Sequence, residues 1–158
     1  MKTATIKELN QELSLRNPKE LLELCLRLSK FKKENKELLT YLLFESSDET
    51  SYIESVKREI DNQFEQINRK SNSLIRKSIR RILRNTRKYI RYSQKKQTEI
   101  DLLIYFCKML KKVSPSIQNH TALLNLYHRQ TGEIIKKISF LHEDLQYDYG
   151  IELNELKF

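Results

Sequence analysis

The sequence is poor in the residues that most other fold classes need. Two glycines and two prolines in 158 residues are too few for a sheet protein, whose tight turns draw on both. Two cysteines, Cys25 and Cys107, cannot build a disulfide-dense scaffold. No Gly-x-Gly-x-x-Gly or Walker pattern occurs, so no glycine-rich loop is there to cradle a phosphate. No Cys-x-x-Cys and no His-Glu-x-x-His occurs either, which removes the usual zinc and redox frameworks. His120, His128 and His142 fall on one helical stretch, with the first two spaced two turns apart, too far to share a metal alone. The longest apolar run is Leu102–Cys107, far below the ~20 residues of a membrane-spanning helix. Met1 to Leu9 hold no apolar leader core. The expectation is a non-enzymatic cytoplasmic protein with no catalytic constellation, no cofactor, no metal and no integral membrane association. Both cysteines lie on apolar helical patterns and are expected as buried free thiols.

What is abundant is Leu, Lys, Glu, Ile and Arg, mostly good helix formers. Thr5-Ile6-Lys7-Glu8 is a capping box, in which hydroxyl and carboxylate each satisfy an orphan backbone donor. A short helix with Ile6, Leu9 and Leu13 on one side follows. Asn17-Pro18-Lys19-Glu20 is a second start signal. Helix two carries Leu21, Leu22, Leu24, Cys25, Leu26 and Leu28, a density that predicts burial from several sides. Helix three is expected from about Glu34 to Glu45. Helix four runs from the Ser46-Ser47-Asp48 break to about Arg69, with Ile53, Val56, Ile60, Phe64 and Ile67 as its stripe. Helix five follows Ser71-Asn72-Ser73 and runs to about Tyr92. Helix six, about Thr98 to Lys112, packs Ile100, Leu103, Ile104, Phe106, Cys107 and Leu110 closely and is predicted to be the most buried. Ser114-Pro115-Ser116 breaks the chain. One long helix seven is expected from Asn119 to Tyr149, with Leu124, Tyr127, Thr131, Ile134, Ile138, Leu141 and Leu145 as its seam and Gly150 as its stop.

These segments define an all-α protein. Helices two/three, four/five and six/seven form hairpins, leaving two arrangements: a six- to seven-helix bundle or a short stack of helical hairpins like an α-solenoid. A faint repeat, Cys25-Leu26-Arg27-Leu28 against Cys107-Lys108-Met109-Leu110, fits the second; the unequal helix lengths fit the first. Residues 1–150 are expected as one all-α domain and 151–158 as a frayed extension.

The run Ile6-Lys7-Glu8-Leu9, Pro18-Lys19-Glu20-Leu21 and Lys33-Glu34-Asn35-Lys36-Glu37-Leu38 resembles the opening of small bacterial all-helical families of unknown function. The likeness covers about the first 45 residues. It implies an all-helical fold with helix-pair stacking, and no activity, substrate or catalytic residue.

Charge is distributed less evenly than apolar residues. From Gln66 to Thr98 there is no Asp or Glu, while 12 of the chain's 30 basic residues lie there; the remaining 18 face 21 acidic residues. The formal net charge of +9 is therefore the property of one segment. At about 100° per residue, Ile75, Ile79, Ile82, Leu83, Thr86, Tyr89 and Ile90 share one side of helix five. Arg76, Lys77, Arg80, Arg81, Arg84, Arg87, Lys88 and Arg91 occupy the other. Like charges at these spacings repel by a few tenths of a kcal/mol per pair, and an anionic neighbour relieves that repulsion. Arginine's planar fork suits phosphate and carboxylate.

Three neighbours are open at this point. The face can be solvated or met by the chain's own acids: Glu54, Glu59, Asp61 and Glu65 of helix four, or Glu143, Asp144, Asp148, Glu152 and Glu155 near the end. It can lie on nucleic-acid phosphates, with Tyr92 either stacking on a base or packing at the rim. It can meet an acidic protein surface, including a second copy of this chain in a homo-oligomer. The membrane version is the weakest, because the apolar arc is needed for the core.

Overall fold

A computed structural model describes residues 2–113 and 116–157 of the chain. Among them are eight α-helices and no strand: α1 (Ile6–Ser14), α2 (Pro18–Phe31), α3 (Lys33–Thr40), α4 (Glu49–Glu65), α5 (Asn72–Ser93), α6 (Lys96–Lys111), α7 (Thr121–Ile138) and α8 (Glu143–Glu155). The protein is all-α. Ser114 and Pro115, the core of the expected break, lie outside the described residues. The helices divide into two compact units, Met1–Phe44 and Glu45–Phe158.

In the first unit both sequence-level start signals are realised. Thr5 Oγ1 accepts from the Glu8 amide, and the Glu8 carboxylate accepts from the Thr5 amide at 2.7 Å. Asn17 and Glu20 repeat the exchange at 3.0 Å in each direction. The expected burial of helix two is corrected. No residue of α1, α2 or α3 is buried; Leu22 and Leu28 are 59% and 60% exposed, and Cys25 is exposed. The leucines of α2 spread over a little more than half of its circumference, whereas its main packing partner in the unit is α3, so much of that arc stays uncovered. The Cys25/Cys107 repeat therefore has no common environment, since Cys107 is fully buried.

The second unit is a bundle around α6, on which α4, α5 and α7 all pack. Ile100, Leu102, Leu103, Phe106, Cys107 and Leu110 of α6 have no exposed surface, as the density of its apolar positions predicts. α4 starts on Asp48, whose carboxylate accepts from the Ser51 amide at 3.0 Å. It buries Tyr52, Val56, Ile60 and Phe64, ending four residues before the expected Arg69.

The long helix seven is also corrected. α7 stops at Ile138, where Phe140 and Leu141 amides turn back to Lys137 and Ile138 carbonyls. A new helix starts on His142, whose Nδ1 accepts from the Asp144 amide at 3.4 Å, with Glu143 and Asp144 in its first turn, where acids suit the helix dipole. Gly150 lies inside α8 rather than stopping a helix, and Leu156, expected to fray, is buried. α8 is held by groups from two other helices. Tyr127 of α7 donates to the Leu156 carbonyl, Tyr149 donates to Asp101 of α6 at 2.7 Å, and Lys108 of α6 pairs with Glu152 and Glu155 at 3.1 and 2.9 Å.

Candidate functional site

The site begins with how α5 is seated. Ser71 caps it, accepting from the Leu74 amide at 3.3 Å, and Gln94 ends it in the left-handed region at φ 58°. Ile75, Ile79, Ile82, Leu83, Thr86 and Ile90 are all buried. Thr86 satisfies its buried hydroxyl by donating to the Ile82 carbonyl one turn back, at 3.0 Å. α4 holds the helix from one flank: Tyr52 donates to the Tyr89 carbonyl and Asn85 to Gln63 Oε1, both at 2.9 Å. With one side fixed in the core, the opposite side of α5 has a fixed orientation toward solvent.

The eight sequence-predicted cations all sit on α5, but the fold sorts them into two groups. Arg87 is drawn toward α7, where its guanidinium donates to Gln130 Oε1 at 2.9 Å and pairs with Glu133. Gln130 is fully buried, and its Nε2 has no partner among the described residues. Lys88 lies over the Tyr89 ring, 4.8 Å from its centroid. The other six, Arg76, Lys77, Arg80, Arg81, Arg84 and Arg91, make no ion pair and no side-chain hydrogen bond among the described residues.

Most of the acids that could meet this face are engaged elsewhere, while Glu65, Glu143 and Asp148 are exposed and pair with no cation among the described residues. On α4, Glu54 pairs with Lys57 at 2.8 Å, Glu59 accepts from Gln63 at 2.7 Å, and Asp61 accepts from Tyr105 of α6 at 2.6 Å. Burial, then the Asp61 hydrogen bond, raises the Tyr105 pKa to about 12. Glu49 collects Thr98 at 2.6 Å, Lys95 at 2.9 Å and the Ser93 hydroxyl. Near the end of the chain, Glu152 and Glu155 meet Lys108 on α6 instead of the basic face. Burial opposes the Lys108 charge, yet the hydrogen bonds it donates to Glu155 and Glu152 outweigh it and hold its pKa above the ordinary value.

Two open hollows flank the crest formed by Arg80 and Arg84, which line both. One, about 760 Å³, is bounded by Gln66, Asn68 and Ser73 together with Arg76, Lys77 and Arg81. The other, about 630 Å³, holds Arg87, Arg91 and Arg129 above Leu83, Ile90 and Leu126. Arg129 comes from α7, is exposed, and has no ion-pair partner among the described residues. Sequence reasoning missed it, because nothing local marks an isolated arginine as the neighbour of a helix some forty residues earlier. The carboxylate in the second hollow, Glu99, is neutralised by Lys137 at 3.0 Å.

No group of three His, Cys, Asp or Glu that could hold a metal occurs among the described residues. Burial pushes the Cys107 thiol up to about 12, the opposite of a reactive thiolate. Tyr92 is buried, with Tyr89 packed edge-on at 6.1 Å, so it packs at the rim rather than offering a stacking surface. No helix of the described residues is long and apolar enough to cross a membrane. No known family, no characterised protein and no solved structure matches the chain.

Proposed function

We propose that the protein is a non-enzymatic binding protein whose α5 face contacts an anionic partner, and that this partner is nucleic-acid backbone. The observation that carries the reading is the set of six cations on α5, five of them arginine, that no carboxylate of the described residues neutralises. Their spacing costs helix stability in the absence of an anion, and guanidinium forks match phosphate oxygens. A contact of this kind gives affinity without sequence specificity. The proposed setting is the cytoplasm, where an exposed thiol such as Cys25 stays reduced.

The test is binding to labelled nucleic acid across a salt series. Each phosphate contact adds about 0.9 to the slope of log affinity against log salt on duplex DNA. Arg80→Glu, Arg84→Glu and Arg91→Glu together are expected to abolish binding while leaving the circular dichroism spectrum unchanged, since all three residues are exposed. Absence of binding at low salt, or binding unaltered in the triple variant, overturns the proposal.

A second reading, a helical protein-interaction module, is favoured by a separate part of the chain. Ile6, Leu15, Leu22, Leu28 and Phe31 of the first unit are each more than half exposed, and exposed apolar side chains gathered in one unit mark interaction surfaces. Sedimentation over a salt series tests self-association: a monomer at every salt and concentration removes a second copy as the partner.

A further inference from the structure

Both hollows beside α5 are cationic, and the crest between them is a single helix. A single strand needs one basic track with aromatic platforms along it. A duplex groove presents two phosphate backbones, one on each side of whatever enters it. We infer that α5 enters the major groove of B-form DNA, with the two phosphate backbones in the two flanking hollows. This inference rests on the nucleic-acid reading of the face and names its substrate class.

Four observations carry it. First, dimensions agree: an α-helix with side chains is about 10–12 Å across, and the B-DNA major groove is about 12 Å wide. The stretch from Arg76 to Arg91 is about 22 Å long at 1.5 Å per residue, which is about two-thirds of a duplex turn. Second, charge lies on both flanks. Lys77 and Arg81 line one hollow, Arg91 and Arg129 the other, while Arg80 and Arg84 line both. Arg129 matters most, because it is supplied by α7 and widens the cationic surface beyond what α5 alone presents. Third, no aromatic side chain of the described residues lines either hollow: Tyr92 is buried and Tyr89 is half-buried beneath Lys88. Fourth, the two hollows are divided by one helix, whose Arg80 and Arg84 line both. A-form RNA has a deep, narrow major groove that side chains cannot read and a shallow minor groove, so it offers no seat for a helix.

The full-length chain is titrated by fluorescence anisotropy against four probes of about 30 nucleotides per strand at about 50 and 200 mM salt. They are mixed-sequence duplex DNA, duplex RNA of the same sequence, a single DNA strand, and duplex DNA carrying glucosylated 5-hydroxymethylcytosine. The last fills the major groove and leaves the phosphates in place. Unmodified duplex DNA is expected to bind about tenfold or more tighter than each of the other three. Arg129→Gln is expected to lower its salt slope by about 0.9, as loss of one phosphate contact does. Equal binding of glucosylated and plain duplexes overturns the groove seat, as does a single strand or duplex RNA binding as well as duplex DNA. Either result leaves the nucleic-acid reading standing. Failure of all four probes at low salt overturns that reading itself.

Discussion

If the α5 cations face an absent anion, they destabilise the free protein, and removing them must stabilise it. Among the eight cations from Arg76 to Arg91, nine pairs stand three or four residues apart. Replacing Arg80 and Arg84 with glutamine removes six of these nine. Each like-charged pair costs about 0.2–0.5 kcal/mol at low salt, so the double variant should gain about 1–3 kcal/mol. Little opposes that gain: neither arginine has a side-chain partner among the described residues, and Arg and Gln have similar helix propensity. Urea denaturation followed by circular dichroism measures the difference. The gain should be largest in dilute buffer and shrink toward zero near 1 M salt, where the Debye length is about 3 Å. The wild-type protein should itself become more stable as salt is added. A double variant that is less stable than wild type in dilute buffer would refute the reasoning, because it would mean that Arg80 and Arg84 hold the fold together instead of straining it. The same pair of substitutions is expected to weaken binding, so stability and affinity should move in opposite directions.

Further expectations concern the surroundings of that face. Glu133→Gln releases Arg87, paired with it across α5 and α7; affinity for duplex DNA should rise and the salt slope steepen by about 0.9, and a flatter slope would contradict this. Gly150 and Gly132 lie within helices, and a methyl group added at either would meet nothing within 4 Å, so alanine at either should stabilise by up to about 1 kcal/mol in urea melts; a loss at Gly150 would argue that α8 does break there. Burial raises the Asp101 pKa, against the opposing hydrogen bond from Tyr149. A carboxylate raised on folding adds stability in its protonated form, which is lost as pH climbs through the folded value. Asp101→Asn should therefore gain on wild type between acid and neutral pH, and a gain confined to acid would contradict the sign. Hydrogen exchange in α8 should quicken in Lys108→Ala, which removes both ion pairs to Glu152 and Glu155.

Legibility in this sequence follows the range of the interaction. Capping boxes at Thr5 and Asn17, the seat of α5 and the burial of α6 depend on residues within one or two turns, so spacing alone reveals them. The break after Ile138 depends on where the next helix docks. The three-four seam continues through Leu141 and Leu145, and local periodicity gives no reason to stop. Tyr127, Tyr149 and Lys108 pull α8 back onto α6 and α7, and those partners are not neighbours in sequence. His142 with Glu143 and Asp144 is the local trace of a helix start, outweighed by the seam. In α2, periodicity counts apolar residues correctly without revealing that too few neighbours exist to cover them.

The pairing pattern separates most cations of the basic face from those that hold the helices together. The ion pairs that join helices in the second unit draw largely on lysine: Lys95 with Glu49, Lys108 with Glu152 and Glu155, Lys137 with Glu99. Arg87 with Glu133 is the arginine among them. The unpaired cations of α5 are arginine at five of six positions, and Arg129 extends the set. Lysine is a compact, mobile charge that serves a carboxylate of the same protein well. Arginine's forked donors are better matched to planar or tetrahedral oxyanions approached from outside. A solvated face would need only charge, which lysine supplies equally. Replacing Arg80, Arg84 and Arg91 with lysine keeps every charge and separates the two. Stability should stay within about 0.5 kcal/mol, as for surface substitutions generally, while affinity for duplex DNA falls. Unchanged affinity would show that charge alone matters there.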